Sequence, residues 1–120
     1  MDVFALVLCG VVALLHIYFL VLEMFLWDKP IGLKTFRLTP EKAQATKVLA
    51  ANQGLYNGFL AAGLLWGIIL ADAGAHIRIF FLLCVVVAGL YGAATVGKKI
   101  LYIQAAPAAL ALALTILFSI

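Results

Sequence analysis

Apolar residues fall in four long blocks separated by short polar interruptions. The blocks run from Val3 to Trp27, Leu49 to Leu70, Ile77 to Val96 and Ile100 to Phe118. Each approaches the roughly 20 helical residues that cross about 30 Å of hydrocarbon, so the pattern predicts four transmembrane helices. Closed β-barrels would need alternating segments of about ten residues, which the chain lacks. The first block exceeds the apolar core of a signal peptide and carries neither a basic leader nor a small-residue cleavage site, so it is expected to be a retained span.

The interruptions have their own grammar. Asp28-Lys29-Pro30 should end the first helix just past Trp27, because proline disfavours helical geometry at the residue before it. Thr39-Pro40-Glu41 reads as N-cap, first-turn proline and a carboxylate near the positive end of the helix dipole. The second helix should therefore begin at Pro40, outside the hydrocarbon. Extended to Leu70 it holds about 31 residues and ~46 Å. Its first two turns, with Glu41, Lys42, Gln44 and Lys47, should stand in the cytoplasm, while Phe36 and Leu38 lie on the interface. Asp72-Ala73-Gly74 is a short turn on the other side, with His76 and Arg78 at headgroup level. Small residues at Ala50, Gly54, Gly58 and Ala62, at Gly63 and Gly67, at Gly89, Gly92 and Ala93, and at Ala105, Ala109 and Ala113 predict close helix packing. Pro107 should loosen or bend the fourth helix.

Composition agrees with the pattern. With 68% hydrophobic residues, 11% charged and mean hydropathy +1.23 over 120 residues, there is too little polar surface to cover a soluble globule. Of the 8 Lys and Arg, Lys29, Lys34, Arg37, Lys42, Lys47, Lys98 and Lys99 fall in two loops on one side, leaving Arg78 on the other. That bias makes both basic loops cytoplasmic and turns both termini outward. The net charge of +3 then needs anionic lipid headgroups and no nucleic acid. Cys9 and Cys84, each inside an apolar block, read as small buried hydrophobes. The expectation is one all-α integral-membrane domain over residues 1–120, a four-helix bundle in a lipid bilayer.

The candidate chemistry lies in polar residues within the spans. Cys9, His16 and Glu23 are spaced by seven, and Trp27 follows by four, so they share one stripe. Asn52 and Tyr56 share a face that continues through Phe59, Gly63 and Trp66, with Gln53 and Asn57 one position further round. Counted inward from the basic loops, Glu23, Asn52, Gln53, Tyr56, Asn57, Tyr91 and Gln104 form one polar layer in the cytoplasmic half of the membrane. Intramembrane Asn, Gln and Tyr often serve only as interhelical hydrogen bonds worth ~0.6 kcal/mol each, but this many donors and acceptors exceed what holding four helices together requires. The reading favoured is a site for a small amphiphilic molecule. Glu23 is its acid/base or counter-charge, Asn52, Gln53, Tyr56, Asn57, Tyr91 and Gln104 are its polar ligands, and His16 is a second catalytic or proton-relay candidate. No metal site is expected, because His16 and Glu23 stand too far apart along the helix to share an ion. A proton-coupled transporter or channel through His16 and Glu23, and an accessory protein whose polar layer only specifies assembly, are the alternatives.

Two resemblances bear on this. His16-Ile17-Tyr18, Val21-Leu22-Glu23-Met24, Trp27, Lys34, Phe36, the run Ala51-Asn52-Gln53-Gly54-Leu55-Tyr56-Asn57-Gly58-Phe59-Leu60-Ala61, and Trp66 together resemble a family of small four-helix membrane proteins known as a domain of unknown function. That resemblance implies a bacterial inner-membrane protein and supplies no reaction. Asn52 and Tyr56 with Phe59-Leu60-Ala61 and Leu65-Trp66 are similar to the second helix of the MAPEG family of eicosanoid and glutathione metabolism. This likeness implies a homo-oligomer, a trimer in that family, with a cytoplasmic-side site between subunits and glutathione or another thiol as cofactor. Leu55 stands where MAPEG members usually carry glutamate, and Lys98 and Lys99 stand near where they carry arginines.

Overall fold

In the computed structural model, which describes residues 2–119, every regular element is helical and no strand occurs among those residues. Met1 and Ile120, on which the expectation about the termini falls, lie outside the described residues. The elements are α1 (Val3–Met24), α2 (Pro30–Phe36), α3 (Pro40–Ile69), a 3₁₀ turn (Ala71–Gly74), α4 (Ala75–Thr95), α5 (Lys98–Ile100), a π-helical turn (Leu101–Ala105) and α6 (Ala106–Ser119). Two helical segments, Val3–Met24 and Ala71–Thr95, are long and apolar enough to cross a membrane, and Tyr102–Phe118 is a shorter apolar stretch. The long second helix starts at Pro40, as the Thr39-Pro40 signal predicts. Thr39 caps it, its Oγ1 accepting the Lys42 amide at 3.2 Å.

The chain divides into two compact units, residues 15–59 and residues 1–14 with 60–120. In the first, α1 ends at Met24, three residues before the expected Trp27. The reason is a widened last turn, in which the Leu26 amide reaches back to the Val21 carbonyl at 3.2 Å. Pro30 then does more than stop a helix, since it opens the short α2 at a position where its missing N–H costs nothing. Gly32 packs against the backbone carbonyls of Leu26 and Trp27, a contact that any Cβ would prevent. Arg37 closes α2 in the left-handed conformation (φ 54°).

Side chains tie this hairpin to the start of α3. Trp27 stacks obliquely on Phe36 at 4.7 Å and donates its indole N–H to Thr46 at 3.0 Å. Asp28 accepts from Lys47 Nζ at 2.9 Å and from Gln44 at 3.1 Å. The Lys47 hydrogen bond is the chief reason the Asp28 carboxyl is held below its ordinary 3.8, with Gln44 adding to it. A depressed carboxylate stabilises the fold above its unfolded-state value, and the contribution is lost as pH falls through the folded value. Trp27 fluorescence, read in a Trp66→Phe background, should therefore be steady at neutral pH and shift below about pH 4. Asp28→Asn should remove the acid transition, and persistence of the same transition in that variant would assign it elsewhere.

The second unit gathers a core of Cys9, Val12, Ala13, Leu64, Leu82, Val85, Ala108 and Ala111. Cys9 fulfils the expectation of a buried hydrophobe, while Cys84 is half-buried. Gly63 lies under the ring of Phe81 and Gly89 against Ala105, so these glycines are close-packing positions. From the end of the π turn through α6 the buried stripe is Ala105, Ala108, Ala111 and Thr115, and the expected Ala109 and Ala113 are exposed. An every-fourth stripe drifts about 40° per step around a helix of 3.6 residues per turn, so only Ala105 stays on the packed face. The disturbance expected from Pro107 takes the form of the π turn just before it, which widens the helix where the proline ring would strike the Ile103 carbonyl.

Arg78 is 2% exposed and packs inside the chain. Its Nη1 donates to the carbonyls of Gly67 and Ala71, each at 2.6 Å. Gly67 lies in the last turn of α3 and Ala71 opens the 3₁₀ turn after it, so the cation faces the negative end of the helix dipole. His76 is exposed and lies in the first turn of α4 rather than in a loop.

Candidate functional site

Glu23 occupies the last turn of α1 and is 5% exposed. The Asn57 amide, on α3, donates to its Oε1 at 2.5 Å. Small residues make this approach feasible. At Gly54 a Cβ would fall 2.7 Å from Met24 Cγ and 3.1 Å from Glu23 Cβ, and at Gly58 it would fall 2.7 Å from Leu20 Cδ1. Two of the glycines read as packing positions thus admit the last turn of α1 against α3, and that packing places Asn57 within reach of the carboxyl.

The pair has a definite chemical character. A hydrogen bond from an amide to a carboxyl oxygen is short and strong relative to neutral pairs when the acid is ionised. No Lys or Arg pairs with Glu23 among the described residues, so its charge, when present, has no internal counter-ion. A carboxylate offers about four acceptor positions, and the amide fills one. What remains can receive a hydrogen-bond donor or a cationic group.

Other predicted residues take different places. His16 is fully buried, with Phe19 edge-on at 5.5 Å, and stands seven residues, or about 10 Å, from Glu23 along α1. Asn52 and Gln53 are exposed, and Tyr56 is 58% exposed with Phe59 packed edge-on at 5.5 Å. Within the hairpin unit, then, Glu23 and Asn57 come together inside while Asn52, Gln53 and Tyr56 point outward. Tyr91 and Gln104 belong to the other compact unit. Tyr91 is exposed, its backbone carbonyl accepting from Thr95 at 2.8 Å, and Gln104 is half-buried in the π turn.

The candidate residues read from the sequence did not include Thr46, Asp28 and Gln44 as a group, which ties the end of α1 to the first turns of α3. Their signal was available in part. Gln44 and Lys47 stand three apart in the first turns of α3 and share a face, and Asp28 is the carboxylate across the turn from them.

Comparison with known proteins bears on the first resemblance. Residues 10–116 match the family described as a protein of unknown function, DUF1304. The uncharacterized protein YpaA of Lactococcus lactis subsp. lactis (strain IL1403) is 32% identical over 114 residues, covering 93% of this chain and 96% of that protein. No solved structure matches. The match spans both halves of the Glu23–Asn57 pair and the whole polar run from Asn52 to Asn57, and the chain belongs to the DUF1304 family.

Proposed function

We propose that this chain is a four-span inner-membrane protein that binds a small amphiphilic molecule beside Glu23 in the cytoplasmic leaflet. Membrane residence is supported by exposure. In the apolar windows of Val3–Met24 and Ala71–Thr95 only 33% and 22% of residues are buried within the chain, which in water would leave large apolar surfaces open. A core helix of a soluble protein would be covered. The polar run Asn52–Asn57 dilutes the hydropathy of α3, the second proposed span, and Lys98 through Ser119 forms about 22 continuous helical residues, ~30 Å, for the fourth. The basic loops are then cytoplasmic and the termini outward.

The observation that carries the ligand reading is Glu23, a buried carboxyl at the end of an apolar helix with, among the described residues, one amide partner and no cation. Such a group is costly in a membrane and marks a functional position. Asn57 on α3 is its polar neighbour, and the apolar helix surfaces receive the tail. The ligand best suited to the carboxyl carries an amine or hydroxyl head.

Native mass spectrometry of protein purified in mild detergent tests this. Wild type should carry an amphiphile of defined mass, and Glu23→Gln, which keeps the size and the Asn57 contact, should lower its occupancy about tenfold, a loss of about 1.4 kcal/mol. Its melting temperature should stay within a few degrees of wild type. A wild type that binds nothing, together with a large fall in melting temperature in Glu23→Gln, would reduce the pair to an interhelical clamp.

A further inference from the structure

The outward face of α3 carries a pattern that the Glu23 site does not use. Ala45, Leu49, Asn52, Tyr56 and Phe59 follow one another in steps of four, three, four and three, and every one is exposed. Leu49, Tyr56 and Phe59 are 74%, 58% and 54% exposed. The buried positions Ala43, Ala50 and Gly54 lie on the opposite face. A repeat of 3.5 is the seam of two helices wound in a left-handed pair, with one row of side chains kept toward a partner.

The polar member of the row decides what the partner is. Asn52 is six residues past Thr46, which bonds Trp27 at the mouth of the hairpin, and so lies about 9 Å deeper along α3. Its amide makes no hydrogen bond within the chain among the described residues, and an unsatisfied amide in hydrocarbon costs several kcal/mol. We infer that this face receives α3 of a second copy of the same chain, with Asn52 opposed to Asn52 of the partner subunit. Two copies inserted with the same orientation present parallel α3 helices. Parallel pairing sets each layer of the seam against its own equivalent. An amide is donor and acceptor at once, so Asn52 complements itself across the symmetry axis and fixes the register.

This inference rests on the membrane-spanning reading above, and disulfide mapping in native membranes separates the two. Single cysteines at Ala45, Leu49, Asn52, Tyr56 and Phe59, and at the flanking Ala51 and Gln53, are introduced in a Cys9→Ala, Cys84→Ala background and oxidised. Seam positions should give a band of twice the chain mass, several-fold stronger than at Ala51 or Gln53. In detergent, Asn52→Ala should weaken self-association about threefold to tenfold, the equivalent of two membrane hydrogen bonds. Crosslinking without dependence on face, bands only to other proteins, or no bands at any position would overturn the inference while leaving the membrane reading intact. Extraction of the protein from membranes by alkaline carbonate would instead sink the membrane reading itself.

Discussion

Arg78→Met should lower the melting temperature of the purified protein by about 10 °C or more, the equivalent of about 3 kcal/mol for a chain of this size. The side chain sends its Nη1 to the Gly67 and Ala71 carbonyls at 2.6 Å each. Hydrogen bonds to a charged donor contribute about 1.5–3 kcal/mol apiece, and removing the donor leaves both carbonyls at the end of α3 without it. Methionine keeps the apolar stem, so the variant isolates the guanidinium. The value stays at the lower end because burial of the cation is itself costly and its Nε finds no partner among the described residues. Arg78→Lys should fall between the two, since an ammonium keeps the charge at the helix terminus but lacks the planar fork. A thermal melt in which Arg78→Met matches wild type would show that the cap contributes nothing.

The same residue shows where sequence reading loses its grip. Arg78 lies four residues past the Asp72-Ala73-Gly74 turn, so a hydropathy view assigns it to the headgroup region. Its hydrogen bonds depend on where α3 stops and how the chain turns back, which hydropathy does not reveal. Ala71, in the left-handed conformation (φ 52°) without being glycine, carries no local signal for that turn. The start of α3 was legible for the opposite reason, because the Thr39-Pro40 cap is local chemistry written in adjacent residues. Hydrophobic blocks located the long helices to within a few residues for similar cause, while the Met24 end of α1 depended on a widened turn that no residue type announces.

The candidate site divides along the same line. Glu23 and Asn57 were both legible as anomalies, polar groups in apolar blocks, and the glycines between them marked a close approach. Their pairing was not legible, because it needs the register of α1 against α3, which Gly54, Gly58 and the Asp28–Lys47 and Trp27–Thr46 contacts set jointly. Depth alone grouped Asn52 and Tyr56 with Glu23. Direction separates them, since a helix residue five positions away points to a different side. The outward turn of Asn52 is what makes it a seam residue rather than a second ligand for the carboxyl.

Gly74→Ala should be as damaging as Arg78→Met, although it adds a single methyl group. The glycine has φ −92°, so its backbone needs no special freedom. Space is the constraint, since a Cβ there would land on the Gly67 carbonyl oxygen, 2.8 Å from the Gly67 carbon and 3.0 Å from its Cα. Backbone cannot rotate aside as a side chain can, so the end of α3 must move off the start of α4. That movement also draws the Gly67 carbonyl away from Arg78, so a cost of about 3 kcal/mol is expected, at the upper end for an overpacked site. Gly10→Ala is the matched control. A Cβ added there, in α1, would meet no atom of another element within 4 Å among the described residues, and alanine should stabilise by about 0.5–1 kcal/mol through helix propensity. Thermal melts of the two variants should therefore move in opposite directions. The double variant Gly74→Ala, Arg78→Met should lose clearly less than the sum of its parts, because both changes break the same Gly67 contact. Strict additivity would mean that the glycine and the arginine act at the end of α3 independently.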